Sequence, residues 1–158
     1  MTIDVYIIIM KIKNIILTGS EGLIGKSYRT FAENKGYTVF CIDKKRLTRK
    51  NYFYCDITKE KHVSKTIGSI FKKTHVSLLI NNAATNPSAD NKLEGFKFSE
   101  YNFENWKKNL EVDLNGSFLV SKYVLKYFEK QNQGNILNIS SIYGIIGPDQ
   151  NIYPKTKH

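Results

Sequence analysis

The stretch Thr18-Gly19-Ser20-Glu21-Gly22-Leu23-Ile24-Gly25 decides the fold of this chain. An apolar run at residues 12–18 precedes it, and apolar residues recur at helical spacing from residue 23 to residue 35. The pattern predicts a strand, a tight turn and a helix. Its three glycines permit the turn, a close approach of the backbone to a pyrophosphate, and close packing of the helix on the strand. A glycine triplet also occurs in ordinary strand–helix turns, but its position directly after the first strand favours a dinucleotide site.

The remainder of the chain alternates between apolar runs and helical patterns. Further strands are predicted at residues 38–42, 52–55, 76–80 and 135–139. Helices are predicted around residues 63–71 and 105–130, with a long polar loop at residues 82–99 between them. The second of these helices changes character near Asn115-Gly116. Such alternation predicts an α/β fold with a doubly wound, Rossmann-like parallel sheet, whose ligands bind beyond the carboxyl ends of the strands.

The chain shows no internal repeat, low-complexity segment or linker, so we predict one domain over residues 1–158. Met10 directly precedes the first apolar strand pattern. We therefore expect residues 1–9 to be an upstream extension that does not belong to the fold.

Composition describes a globular protein, because 41% of the 158 residues are hydrophobic. The net charge of +10 is spread along the chain apart from one cluster at residues 44–50, so nucleic-acid binding is a minor alternative. Cys41 and Cys55 lie in apolar runs and no secretory signal is apparent, which favours buried free thiols in a cytoplasmic protein. The apolar stretch at residues 5–17 is interrupted by lysines and is too short to span a membrane. No membrane role and no metal site are predicted.

Asp43 follows the second predicted strand, 18 residues beyond Gly25. An acid at this point is expected to bind the adenosine ribose hydroxyls, which favours NAD as cofactor. Lys44, Lys45 and Arg46 keep NADP as an alternative, because a 2′-phosphate would attract them. A solvated carboxylate in a turn would also explain Asp43.

Polar and small residues follow the third, fourth and fifth predicted strands. Asp56 could accept a hydrogen bond from an adenine amino group or cap a helix together with Thr58. The small residues in Asn81-Asn82-Ala83-Ala84 would let a flat cofactor lie against the backbone, while the asparagines satisfy loop peptides. Ser141 precedes Tyr153 by 12 residues, and their two hydroxyls could converge on one carbonyl oxygen.

Tyr153 and Lys157 are four residues apart near the end of the sequence. On a helix this spacing places both side chains on one face, where the ammonium would favour the ionised form of the phenol. The phenol would then serve as a proton donor and acceptor. A solvated helix face explains most such pairs, so the meaning of this one depends on the upstream motifs.

Together these motifs resemble those of the short-chain dehydrogenase/reductase family. The matching segments are Thr18-Gly19-x-x-Gly22-x-x-Gly25, Cys55-Asp56-Ile57-Thr58, Asn81-Asn82-Ala83-Ala84, Asn138-Ile139-Ser140-Ser141 and Tyr153-x-x-x-Lys157. The resemblance implies an NAD(P)-dependent oxidoreductase that interconverts an alcohol and a ketone by hydride transfer. It implies Tyr153 as catalytic acid/base, Lys157 as the residue that assists Tyr153 and holds the nicotinamide ribose, and Ser141 as the residue that orients the substrate oxygen. The cofactor would be held by Gly19, Ser20, Gly22, Leu23, Ile24, Gly25, Asp43, Asp56, Ile57, Asn82, Ala83, Ala84, Tyr153 and Lys157.

Three departures from the family pattern bear on these expectations. The glycine spacing is that of the extended branch of the family, whereas the other motifs match the compact branch. Asp113 stands where the family usually has an asparagine that serves a proton relay, so its catalytic role competes with a plain helix-surface or capping role. The family's sheet order is 3-2-1-4-5-6-7, and the sequence ends at His158, after five predicted strands.

The short length of the chain leads to expectations about its folding, solubility and activity. We expect strands in the order 3-2-1-4-5 with the later strands missing, and a polypeptide that is poorly soluble or partly unfolded with little activity. A catalytically inactive nucleotide-binding remnant or regulatory protein is therefore the alternative function. The resemblance further implies a small carbonyl or alcohol substrate, with homo-oligomers for a full-length form. Residues 81–87 and 147–150 look like bacterial family members of surface-glycan metabolism, which suggests a sugar derivative.

Overall fold

The computed structural model describes residues 13–85, 99 and 102–147. The expected upstream extension at residues 1–9 lies outside the described residues, as do Tyr153 and Lys157. The first half of the fold contains β1 (Asn14–Thr18), α1 (Leu23–Asn34), β2 (Thr38–Asp43), β3 (Tyr52–Tyr54), α2 (Glu60–Phe71) and β4 (Leu78–Asn81). The second half contains α3 (Phe103–Leu110), a π-helical segment (Glu111–Gly116), α4 (Ser117–Gln131), β5 (Asn135–Asn138) and a 3-10 turn (Ile142–Gly144).

Within the described residues the strands form one parallel sheet in the order β3-β2-β1-β4-β5. The predicted fold class and strand order are thereby confirmed. The strand order reverses between β1 and β4. β2 and β3 follow outward on one side of β1, and β4 and β5 follow on the other side. Such a switch point opens a crevice beyond the carboxyl ends of the central strands.

Helices cover the two faces of the sheet unequally. On one face, sheet residues such as Ile16 and Leu79 pack against α2 and α4. The buried residues of this core are Ile16, Phe40, Ile42, Cys55, Ile57, Val63, Ile67, Ile70, Val76, Leu79, Val120, Val124 and Phe128. On the other face, Ile15, Leu17, Val39 and Cys41 pack against Ala32 of α1. Strands that are buried on both faces read as continuous apolar runs, which is why the sequence located them well.

The predicted long helix over residues 105–130 is three helical pieces in the structure. The π-helical segment joins α3 to α4 and ends at Gly116, where the sequence changed character. A Cβ on Gly116 would lie 2.6 Å from Cδ1 of Ile57. The glycine therefore lets this helical segment approach Ile57, in the chain that follows β3. The segment then forms one wall of the crevice.

Candidate dinucleotide-binding site

A cleft of about 800 Å³ opens beyond the carboxyl ends of β1, β2, β3 and β4. The glycine-rich turn forms one wall, and the residues that follow β2, β3 and β4 form the others. Its lining residues are Gly19, Glu21, Gly22, Leu23, Ile24, Gly25, Ile42, Asp43, Lys44, Lys45, Cys55, Asp56, Ile57, Asn82, Ala83, Ala84 and Val112. Every predicted cofactor residue within the described part of the chain lines this cleft, except Ser20.

The glycine-rich turn packs against its neighbours more closely than side chains would allow. Gly19 has a φ of 64°, and a Cβ there would lie 2.7 Å from the Cα of Ala83. A Cβ on Gly25 would lie 2.1 Å from the carbonyl oxygen of Gly19. Helix α1 can therefore begin directly above β1 only because both positions are glycine.

The N-terminus of α1 faces the cleft without a side-chain cap. Gly22 is the N-cap residue, and it makes no side-chain hydrogen bond to the first turn. No acidic side chain lies in that turn. Leu23, Ile24 and Gly25 line the cleft, so the free amides of the first turn and the positive end of the helix dipole are available to an anion. The backbone here fits a pyrophosphate.

Thr18 and Asn82 tie the end of β1 to the chain that leaves β4. The Thr18 hydroxyl accepts hydrogen bonds from the backbone amides of Asn82, at 3.0 Å, and Ala83, at 3.1 Å. In return the Asn82 side-chain amide donates to the carbonyls of Thr18, at 3.0 Å, and Gly19, at 3.2 Å. The prediction that these asparagine side chains hydrogen-bond to backbone groups of loops is confirmed for Asn82. Its bonds hold the glycine-rich turn in place beside the end of β4.

Asp43 is held at the mouth of the cleft by two backbone amides. Its Oδ2 accepts from the Glu21 amide at 2.9 Å, and its Oδ1 accepts from the Lys45 amide at 3.0 Å. Each carboxylate oxygen can accept about two hydrogen bonds, so both retain capacity for a further donor. The carboxylate thus has the position and the free acceptors that ribose hydroxyls require.

Asp56 follows β3 and lines the cleft next to Ile57. Burial raises the pKa of its carboxyl group, but hydrogen bonds from the Thr58 hydroxyl, at 2.7 Å, and the Thr58 amide, at 3.0 Å, outweigh it and lower the pKa below its ordinary value. The carboxyl group is therefore an ionised acceptor at neutral pH. The local turn with Thr58 and an acceptor role toward an adenine amino group are compatible, as the sequence indicated.

Of the four predicted catalytic residues, Ser141 and Asp113 lie in the described part of the chain. Ser141 is exposed and opens the 3-10 turn, where its hydroxyl accepts from the Tyr143 amide at 3.2 Å. The Asp113 carboxylate accepts from the Thr85 amide at 2.7 Å, and so holds the chain beyond β4 against the π-helical segment. The catalytic roles of Ser141 and Asp113 remain predictions.

Ser20 was predicted to bind the cofactor, but its side chain is fully buried in the structure. Its amide donates to the Ile42 carbonyl at 3.4 Å, and its hydroxyl has no partner among the described residues. Its role toward a cofactor also remains a prediction.

Some residues of the site had no predicted role there, and Glu21, Val112 and Thr18 are examples. Glu21 and Val112 line the cleft, and Thr18 organises its floor. Glu21 occupies a variable position between two glycines of the motif, and Val112 lines the cleft as part of the π-helical segment, whose course the sequence did not indicate. The signal that could have found Thr18 is a hydroxyl at the end of a buried strand.

Within residues 13–85 and 102–147, no group of three or more His, Cys, Asp or Glu side chains is arranged to hold a metal ion. Cys41 and Cys55 are free and buried, as predicted, and burial raises the pKa of both thiols. No helix in the described part of the chain has the length and apolar character to cross a membrane.

The sheet order, the uncapped helix N-terminus and the two carboxylates at the strand ends define a nucleotide-binding domain of the doubly wound class. A family model described as short chain dehydrogenase matches residues 13–158. The chain therefore belongs to the short-chain dehydrogenase family, and the resemblance seen in its motifs is confirmed.

Individual relatives agree with this assignment. The chain is 28% identical to the L-fucose dehydrogenase of Mus musculus over 154 residues, which cover 90% of this chain and 54% of that protein. A short-chain dehydrogenase from Leptospira borgpetersenii, solved with bound NAD+, is 26% identical with a TM-score of 0.78, covering 90% of this chain and 56% of that one. ElxO, solved with bound NADP, is 27% identical with a TM-score of 0.77, covering 89% and 60% respectively. The chain spans about half the length of the curated relatives it matches.

Proposed function

We propose that this protein is an NAD-dependent oxidoreductase that interconverts an alcohol and a ketone, with NADP as the second candidate cofactor. One observation carries the proposal: the cleft presents uncapped helix amides, a fixed Asp43 carboxylate and an ionised Asp56 carboxylate in one row. These groups match a pyrophosphate, a ribose and an adenine amino group in turn. Family membership and the nicotinamide cofactors bound to ElxO and the Leptospira protein support it.

The described residues would hold the adenosine half of the cofactor. The first-turn amides of α1 would bind the pyrophosphate, and Asp43 would accept from the ribose hydroxyls. Asp56 would accept from the adenine amino group. Ala83 and Ala84 would leave room for a flat ring above the end of β4, because their side chains are small.

When bound, a nicotinamide supplies or accepts the hydride. In the proposal Tyr153 passes a proton to or from the substrate oxygen, and the Lys157 ammonium stabilises the charge on the phenol oxygen. Ser141 donates a hydrogen bond to the same substrate oxygen. Asp113 is proposed to support proton transfer through the backbone of the π-helical segment, in addition to its bond to Thr85.

A sugar derivative is the proposed substrate class. The sequence character of residues 81–87 and the similarity to an L-fucose dehydrogenase both support it. We further propose one domain over residues 1–158, a cytoplasmic location, and homo-oligomers of a full-length form. A panel of hexoses, polyols and non-sugar cyclic alcohols, assayed by the change in NADH absorbance, would test the substrate class.

Replacement of Tyr153 by Phe tests the chemistry. In a catalytically competent preparation, Tyr153→Phe should lower kcat by at least about a hundredfold, since the general acid/base is removed. The dissociation constant for NADH, measured by fluorescence titration, should stay within about threefold, because the adenosine contacts are unchanged. Tyr143→Phe is the matched control and should retain activity.

Two results would count against the proposal. A Tyr153→Phe variant that keeps most of its turnover would remove Tyr153 from the acid/base role. Tight NADH binding without turnover of any alcohol or ketone in the panel would favour the alternative, a nucleotide-binding protein that does not catalyse.

A further inference from the structure

Glu21 lies at the mouth of the cleft and forms an ion pair with Arg49. The Glu21 Oε1 and Arg49 Nη2 atoms are 2.9 Å apart. The Glu21 side chain is only 8% exposed, and that of Arg49 is 31% exposed. A charge-assisted bond this sheltered from water is stronger than an ordinary surface pair, so the arginine is held in place.

Tyr52, the first residue of β3, also restrains Arg49. Its guanidinium lies 5.1 Å from the centre of the Tyr52 ring. The Tyr52 hydroxyl donates to the carbonyl of Lys45, which anchors the loop between β2 and β3 to the same side chain. Arg49 is therefore drawn toward Glu21 and Tyr52, and it does not line the cleft, whereas Lys44 and Lys45 do.

Glu21 is coupled directly to Asp43. The Glu21 amide donates to Asp43 Oδ2, so the two acidic residues are adjacent at the position proposed for the adenosine ribose. Among the described residues Asp43 forms no ion pair. A ribose at this position would thus meet the Asp43 carboxylate, which has no ion-pair partner among the described residues, and the Glu21 carboxylate, which is paired with Arg49.

We propose that Glu21 is a specificity-determining residue that excludes a 2′-phosphate by holding Arg49 away from the ribose. This inference rests on the proposed function, because it concerns the cofactor of the same cleft. A 2′-phosphate is bound best by a guanidinium, which offers paired donors to phosphate oxygens. The pair with Glu21 occupies the Arg49 guanidinium, and the Glu21 carboxylate adds a negative charge that opposes the phosphate.

The test measures the binding of NADH and NADPH by titration calorimetry, not turnover. For Glu21→Gln, the ratio of the dissociation constants, NADPH over NADH, should fall by about tenfold, because one carboxylate is removed and Arg49 is released. Glu21→Gln with Arg49→Gln should lose most of that change. Glu33→Gln is the matched control, since it breaks the exposed Arg29–Glu33 pair on α1, outside the cleft, and should leave the ratio unchanged.

The outcomes separate this inference from the proposed function. If the unmodified protein binds neither dinucleotide, the proposed function fails. If it binds NADH and Glu21→Gln leaves the ratio unchanged, or if the unmodified protein already prefers NADPH, only the inference fails. An equal shift in the double variant would overturn the role of Arg49. If circular dichroism shows that Glu21→Gln does not fold, Glu21→Asp takes its place, because it keeps the carboxylate but shortens the side chain so that it no longer reaches Arg49; it should lower the ratio, and an unchanged ratio would overturn the inference.

Discussion

Tyr52 lies at the start of β3, where its surroundings favour the neutral phenol. Burial raises its pKa, and the nearby carboxylates of Asp43 and Glu21 raise it further, to about 12 from an ordinary value of 10.0. The Arg49 guanidinium acts in the opposite direction but does not cancel these effects. The residues that shape the mouth of the cleft are thus coupled electrostatically as well as by hydrogen bonds.

This coupling predicts a late tyrosine ionisation. In an ultraviolet titration of the ten tyrosines, one phenol should ionise near pH 12, and Tyr52→Phe should remove that step. Because the folded-state pKa lies above the unfolded value of 10.0, the stabilisation by the neutral phenol is complete below pH 10.0 and is lost as the pH rises through about 12. Tyr54→Phe is the control in the same strand and should leave the step in place; its disappearance there would contradict the assignment.

At the scale of elements, the strand–turn–helix unit depends on close approach between backbone segments. Gly25 sits in the first turn of α1 with no room for a Cβ beside the Gly19 carbonyl. Gly22 precedes it, and a Cβ there would lie 3.4 Å from the same carbonyl oxygen, which is an ordinary contact. Two glycines three residues apart in one motif therefore have different structural importance.

This difference predicts unequal costs of adding one methyl group. Gly25→Ala should lower the free energy of unfolding by about 3 kcal/mol, because the helix must move away from β1. Gly22→Ala should cost less than about 1 kcal/mol, the usual scale for a change at an N-cap. Urea unfolding followed by circular dichroism would measure both. Equal costs would show that the close packing at Gly25 relaxes without penalty.

At the scale of the whole molecule, apolar side chains remain exposed on α3, the π-helical segment and α4. Leu114 and Phe118 are four residues apart and are 62% and 63% exposed. Further exposed apolar residues on these elements, in β5 and after it are Phe103, Trp106, Leu110, Leu125, Leu137, Ile142, Ile145 and Ile146. A surface with this many apolar groups on neighbouring elements favours association over a dispersed monomer.

The polypeptide of residues 1–158 should therefore self-associate. Sedimentation velocity should show concentration-dependent assemblies, and Leu114→Ser with Phe118→Ser should reduce them. Leu47→Ser is the control, since Leu47 is 41% exposed in the loop between β2 and β3, away from this surface. A monodisperse monomer with measurable dehydrogenase turnover would contradict both this prediction and the expectation of low solubility.

Local patterns in the sequence were sufficient to predict the elements and their order. The predicted strand at residues 38–42 is observed as Thr38–Asp43, and the helix predicted at residues 23–35 as Leu23–Asn34. These predictions succeeded because buried parallel strands read as apolar runs and glycines mark the turns. The family motifs likewise located most of the cleft, since ligands of such sheets bind where the strands end.

Only the tertiary structure decided which side chains face each other. The apolar spacing of Ile24, Tyr28, Phe31 and Ala32 predicted the helix, yet the first three are exposed, and only Ala32 of this set is buried against the sheet. The pairing of Glu21 with Arg49, 28 residues apart, depends on the loop after β2 folding back over the glycine-rich turn. Sequence periodicity indicates which residues of one element share a face. Contacts between elements depend in addition on the angle and distance at which the helices and loops pack on the sheet.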